Sequence, residues 1–190
     1  MDWFYEWFFP IVWLAWFAYW QISAARVKTT TRLEPLPSRI VRSVLFLAAI
    51  ALLMFDRIPI PWLYRHYLPE GNATFFLGAA VTVAGLLFTV WARVHLGANW
   101  SRSVTIKQGH ELITTGPYRF VRHPIYTGLL AAFVGSAIAV TELRGLLALA
   151  LVFIALWYKL RLEEQWMRSQ FGETYADYSR RTAALVPGIL

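Results

Sequence analysis

Five apolar stretches constrain the folding of this chain more than anything else in it: residues 3–21, 40–56, 74–93, 124–141 and 144–160. A helix of about 20 residues spans the roughly 30 Å hydrocarbon core of a bilayer. The first and third stretches meet that length unaided. The second is interrupted only by Arg42 up to Phe55, and the last two draw on flanking residues to complete a span. Thr141-Glu142-Leu143-Arg144-Gly145 leaves room only for a tight helical hairpin between the last two. The pattern predicts one all-α domain over 1–190, an integral membrane bundle of five transmembrane helices. Hydrophobic residues make up 58% of the chain and charged residues 15%. A soluble chain carries about 25% charge, and this one would leave too much apolar surface facing water as a monomer. The absence of cysteine excludes disulfides, thiolate catalysis and Cys-ligated zinc.

The formal net charge is +7, and where the cations sit explains it. Of the 18 Lys and Arg, 15 fall around the first and third loops and the tail; Arg57, Arg65 and Arg144 are the others. Such alternation is what the positive-inside rule predicts for five spans, with the N-terminus outside and the C-terminus cytoplasmic. No soluble element gathers a basic stripe, so nucleic acid is not an expected partner. The expected partners are membrane lipids and a lipophilic substrate arriving from the bilayer, with no protein partner evident. The first stretch opens Met1-Asp2 without a basic leader and reads as a retained span. Polar weight collects in 93–124 and 159–190, both predicted cytoplasmic, where a water-soluble cofactor would meet the chain.

The third loop ends in a compact recognition segment, Gly116-Pro117-Tyr118-Arg119-Phe120-Val121-Arg122-His123-Pro124-Ile125-Tyr126-Thr127-Gly128. Gly116-Pro117 forces a turn, and Pro124 suits the first turn of the fourth helix, where a missing N–H costs nothing. Backbone N–H groups at that helix start are expected to be unpaired, with the positive end of the dipole behind them, ready for a carboxylate or phosphate. Arg122 and His123 add charge and donors; Tyr118 and Tyr126 add flat faces for an aromatic ring. Plainer readings stand beside these. Arg119 and Arg122 suit topology and headgroup contact, the tyrosines suit an interfacial belt, His123 suits a structural role, and Gly128 and Gly135 suit close helix packing.

In the tail, Leu160, Glu164, Met167 and Phe171 follow helical spacing, which puts a carboxylate on an apolar stripe. At membrane depth a charge costs about 2.5–3.5 kcal/mol and marks a functional site by default. The alternative pairs Glu163 and Glu164 with Lys159, Arg161 or Arg168 on a solvated face. Gly172 stops the helix. No metal site is predicted.

The spaced combination of the Arg-His-Pro segment, the two glutamates some 35 residues on, and Phe171-Gly172-Glu173-Thr174-Tyr175-Ala176-Asp177-Tyr178 resembles the isoprenylcysteine carboxyl methyltransferase family. These are integral membrane enzymes that use S-adenosylmethionine and are related to membrane phospholipid methyltransferases. The resemblance covers about 93–190, including Leu96-Gly97-Ala98-Asn99-Trp100. It implies a cofactor site built from the cytoplasmic loop and the C-terminal helical tail. The adenine would lie near His110, Glu111, Leu112 and Tyr118, with Gly116 among the cofactor-binding residues. Arg122, His123, Pro124 and Tyr126 would shape the pocket and hold the methionine carboxylate. Glu163 and Glu164 would bind the ribose hydroxyls or the methionine ammonium. A carboxylate acceptor is already ionised, so positioning and desolvation carry the transfer; Arg161 and Lys159 are the candidates to orient it. An amine or thiol acceptor would need deprotonation, by His123 or Glu163. Other functions stay open: a phospholipid amine or small thiol methyltransferase, an NADPH-dependent sterol-type reductase, or a non-catalytic membrane protein that binds anionic lipid. The glycine-rich strand fingerprint of a Rossmann methyltransferase is absent.

Overall fold

Each apolar stretch folds as a helix in the computed structural model, which describes residues 2–23, 30–55, 57–97, 105–107 and 112–188. The order is α1 (Asp2–Ser23), β1 (Thr30–Leu33), α2 (Leu36–Met54), α3 (Asn72–Leu96), β2 (Thr105–Lys107), α4 (Pro124–Val140), α5 (Leu143–Phe171) and α6 (Glu173–Arg181). Among the described residues, three helices, α2, α3 and α5, are long and apolar enough to cross a membrane. The other two expected spans are outside that set: α4 is an apolar helix of 17 residues, and α1 is a helix of 22 residues with five tryptophans and Pro10. The chain also departs from all-α where β1 pairs antiparallel with β2, Thr30 opposite Lys107 and Leu33 opposite Thr105. That pairing ties the segment ahead of α2 to the long loop after α3. Helix α5 continues unbroken past the expected end of the fifth span at 160 to the expected stop at Gly172, so Glu163 and Glu164 ride on its final three turns.

Small residues set the closest approach. Gly78 and Gly85 of α3 face Gly135 and Gly128 of α4, and both pairs are spaced seven residues apart, on one helix face. A Cβ at Gly85 would stand 2.6 Å from the Gly128 carbonyl oxygen and from the Ala132 nitrogen, so only glycine lets the backbones meet. Between lipid tails, helices gain from such packing and from interhelical hydrogen bonds rather than from expelling water. Accordingly, Thr82 Oγ1 donates to the Ala132 carbonyl at 3.2 Å. The indoles of α1 reach the same seam: Trp13 donates to Ser136 Oγ at 3.2 Å and Trp16 to Thr89 Oγ1 at 2.7 Å. On the other side α2 lies against α5, with Ala49, Ala148 and Val152 fully buried. Arg144 closes that contact at the far end by donating to the Leu52 and Phe55 carbonyls, at 3.1 and 3.0 Å, while pairing with Glu142. The segment 58–64 sends Leu63 into the core and leaves Trp62 exposed.

Overpacking a close helix contact costs about 1–3 kcal/mol. Gly85→Ala is therefore expected to lower the thermal unfolding midpoint in detergent, whereas Gly71→Ala, where an added Cβ meets nothing within 4 Å, leaves it unchanged. Equal midpoints for the two variants would contradict the packing described.

Candidate functional site

Helices α1, α2, α4 and α5 enclose a cavity of about 890 Å³, within the range of roughly 300–1,000 Å³ usual for small-molecule sites. Its walls are apolar: Trp13 and Trp16 from α1, Phe46 from α2, Leu129 and Phe133 from α4, Leu156 from α5. Leu14, Phe17, Leu47 and Ile50 line it while remaining exposed, so its flank between α1 and α2 opens outward. Along α2 the lining runs from Arg42 to Met54, twelve residues or about 18 Å of helix. At the Arg42 end the lining turns polar, with Arg122, His123, Lys159, Glu163 and the phenols of Tyr118 and Tyr126.

His123 occupies the N-cap of α4, where the extended backbone before a proline turns its ring onto Tyr126. The rings stack at 5.2 Å with planes 4° apart. Its Nδ1 lies 3.5 Å from Glu163 Oε2 and its Nε2 lies 3.5 Å from Glu164 Oε1. Nε2 is buried and makes no hydrogen bond among the described residues. Burial alone would depress the imidazole; the adjacent carboxylates of Glu163 and Glu164 outweigh it and raise the group above its ordinary value. Glu163 pairs with Lys159 one helical turn back, at 3.6 Å, and the ammonium lies 5.2 Å from the centre of the Tyr126 ring.

Glu164 points another way. It is 6% exposed and accepts from Arg122 Nε at 2.7 Å and Nη2 at 2.5 Å. The remaining arm of Arg122 donates to the Ser179 carbonyl at 3.2 Å and to the Thr182 carbonyl. The chain after α6 then runs along the start of α4. The Arg122 and His123 N–H groups donate to the Ala183 and Ala184 carbonyls at 2.8 and 3.0 Å, and Thr127 Oγ1 to the Leu185 carbonyl at 2.7 Å. This corrects the expected cradle of unpaired N–H groups. The tail takes two of them, and those of Tyr126 and Thr127 close onto the His123 carbonyl. Tyr178 donates to the Tyr118 carbonyl at 2.5 Å. Burial pushes the Tyr178 phenol up to about 12 and raises Tyr118 and Tyr175 further, so all three remain neutral proton donors.

Of the residues expected at the site, Leu112, Tyr118, Arg122, His123, Pro124, Tyr126, Lys159 and Glu163 line the cavity. Glu164 stands behind Arg122. Gly116 is off the cavity, in a left-handed turn (φ 59°) pressed against His95. Arg161 is exposed on the opposite face of α5, its guanidinium carbon 5.2 Å from the centre of the Trp157 ring. His110 and Glu111 lie outside the described residues, as do Ala98, Asn99 and Trp100. Two further residues join the charged end that spacing did not single out. Glu34, 3% exposed, accepts from Ser38 Oγ at 2.6 Å and pairs with Arg42. Burial would raise the Glu34 carboxyl, but the Arg42 and Ser38 contacts outweigh it and hold it below its ordinary value. The available signal was Arg42 itself, a cation inside an apolar stretch, where charge is costly unless it has a use.

Fold and site together define a membrane-helix protein whose helices enclose a cavity apolar along its length and charged at one end. Residues 73–174 match the phospholipid methyltransferase family, and the chain belongs to that family. Curated relatives include the nickel-cobalt-cadmium resistance protein NccN of Alcaligenes xylosoxydans xylosoxydans, 35% identical over 59% of this chain and 52% of the relative. Another is a probable protein-S-isoprenylcysteine O-methyltransferase of Oryza sativa subsp. japonica, 32% identical over 58% of this chain and 53% of the relative. The chain spans about half the length of these relatives. Among solved structures it shares the fold of a eukaryotic intramembrane Ras methyltransferase, an isoprenylcysteine carboxyl methyltransferase. That match has a TM-score of 0.53 at 22% identity and covers 83% of this chain and 55% of the other.

Truncating one partner of a buried pair strands the other charge, at a cost of about 3–5 kcal/mol. Arg122→Ala is thus expected to unfold well below the wild type. Arg168→Ala, which removes an exposed partner of Glu164 at 3.6 Å, is expected to change stability by less than about 1 kcal/mol. A second outcome concerns pH. Because the His123 value is raised in the fold, its contacts contribute fully below 6.5 and are lost as pH rises through the raised value. Wild-type thermal stability should decline over that interval more steeply than that of His123→Gln; parallel profiles would contradict the assignment.

Proposed function

We propose that this chain is an S-adenosylmethionine-dependent membrane methyltransferase acting on a lipophilic acceptor, an isoprenylcysteine-like carboxylate. One observation carries the reading: a single cavity offers about 18 Å of apolar wall and ends at Lys159, Glu163 and His123. Such a shape suits an acceptor with a greasy tail and an ionised head, presented beside a polar cofactor.

The residues fit that cofactor. Glu163 supplies a carboxylate for hydroxyl or ammonium donors, Tyr118 and Tyr126 supply flat faces, and His123 Nε2 is a buried polar atom with no hydrogen bond among the described residues. We assign Leu112, Tyr118, His123, Pro124, Tyr126 and Glu163 to cofactor binding, with His110 and Glu111 continuing the same segment. Arg122 and Glu164 hold the site in shape, since the Arg122 guanidinium is engaged by Glu164 and the tail carbonyls. Lys159 orients the acceptor carboxylate; Arg161 faces away and receives no role. When bound, S-adenosylmethionine supplies an electrophilic methyl on a sulfonium, so that a carboxylate oxygen forms the new C–O bond while the S–C pair returns to sulfur. No proton moves. Opposite charges cancel in that step, so the indoles and phenylalanines that keep water out favour it.

On this reading all five long helices span the bilayer, with the N-terminus outside and the charged end of the cavity at the cytoplasmic face. The clustering of cations around the first and third loops and the tail supports that orientation. The acceptor reaches the cavity from the bilayer through the flank between α1 and α2.

Calorimetry of detergent-purified protein with S-adenosylhomocysteine and, separately, NADPH tests the reading. The first is expected to bind and the second not, and Glu163→Gln is expected to weaken the first by about tenfold or more. Binding of neither, or of NADPH alone, would overturn it.

A further inference from the structure

Arg42 and Glu34 precede the 73–174 region that carries the family match, and the cofactor assignment does not use them. We propose that Arg42, seated by Glu34, selects acceptors that carry an anionic head. The proposal rests on the methyltransferase reading and names what that site prefers to methylate.

Arg42 crowns the apolar stripe of α2. Phe46, Ile50 and Leu53 follow it along one face into the cavity. A tail lying on that stripe brings its head group up to the guanidinium. Lys159 lines the same end from α5, so an acceptor head meets cations from two helices. Arg42 uses Nη1 for Glu34, and a guanidinium carries further donors in the same plane, in the fork that matches a carboxylate.

Glu34 does not line the cavity; it acts through Arg42 and is a positioning residue. It stands just before Pro35 at the N-cap of α2, with Ser38 Oγ 2.6 Å from one oxygen. The carboxylate is thereby fixed to the first turn of the helix, and the Arg42 side chain, 12% exposed, is held against it. Among the described residues the carboxylates at this end are already paired, Glu34 with Arg42, Glu163 with Lys159, and Glu164 with Arg122 and Arg168. His123, between Glu163 and Glu164, adds a positive charge when protonated. An anionic head meets the guanidinium donors of Arg42 at the end of the apolar stripe, whereas an ammonium head meets like charge there. The arrangement therefore favours a carboxylate acceptor over a phospholipid amine.

The test measures binding of S-farnesyl-N-acetylcysteine and of its uncharged carboxamide to full-length protein in nanodiscs, loaded with S-adenosylhomocysteine. Wild type is expected to prefer the acid by about tenfold. Arg42→Gln should bring the two affinities together while leaving those for the amide and for S-adenosylhomocysteine within about twofold. Arg42→Lys should restore part of the preference, and Glu34→Gln should lose part of it. Glu34→Gln combined with Arg42→Gln leaves no stranded charge, so it keeps the test valid if the single variant folds poorly, and it too should lose the preference. An acid preference that survives in both Arg42→Gln and the double variant overturns the proposal. So does a fall in all three affinities together, which marks a purely structural pair, or a wild type that binds S-adenosylhomocysteine but treats acid and amide alike. A wild type that binds no S-adenosylhomocysteine fails earlier, at the methyltransferase reading itself.

Discussion

The buried pair between Arg122 and Glu164 is the contact on which the site depends. It joins the loop before α4 to the final turns of α5, and the other arm of the guanidinium gathers the chain after α6. Glu164 is too deeply placed to remain ionised without such a partner, and among the described residues Arg122 pairs with no other carboxylate. With the pair formed, the adjacent residues have little freedom. His123 follows Arg122 and Glu163 precedes Glu164, so the imidazole and the cavity-facing carboxylate are brought within 3.5 Å. One structural ion pair thus sets up its neighbours as a chemical one.

The cavity follows from an imbalance in side-chain size. Glycines on α3 and α4 bring those backbones into contact, while α1 meets the same pair through bulky indoles anchored on Ser136 and Thr89. Large rings at fixed points hold α1 away from α2 over part of their length, and the space between is lined by the aliphatic faces of both. A bilayer tolerates such an apolar opening, where water would close it. At the polar end the tail packs along the start of α4, and its carbonyls accept from the Arg122 and His123 N–H groups.

Much of this was legible in the sequence, for identifiable reasons. Helices have a fixed rise, so the apolar stretches marked the helices to within a few residues, and the polar last turns of α5 were legible from the helical spacing up to Gly172. The i, i+4 relation of Leu160 and Glu164 foretold a buried carboxylate, whereas Lys159 and Glu163, whose pairing was the alternative expected on a solvated face, pair at the cavity. The same geometry separates Arg161 from Lys159, since two residues along a helix is about 200° around it. Contacts between distant segments were not legible. Nothing local says that Ala183 and Ala184 will occupy the donors at the start of α4, or that Glu34 will sit beside a cation eight residues on. The short pairing of β1 with β2 is long-range in the same way.

The central claim is that one cavity brings a methyl donor and a lipophilic carboxylate together. It is tested most directly by supplying membranes that contain the protein with S-adenosylmethionine labelled in its methyl group and S-farnesyl-N-acetylcysteine, then treating the lipid extract with mild base. The expected result is extractable label that base releases as methanol, the mark of a methyl ester. Label that resists base, or no extractable label above membranes lacking the protein, would contradict it.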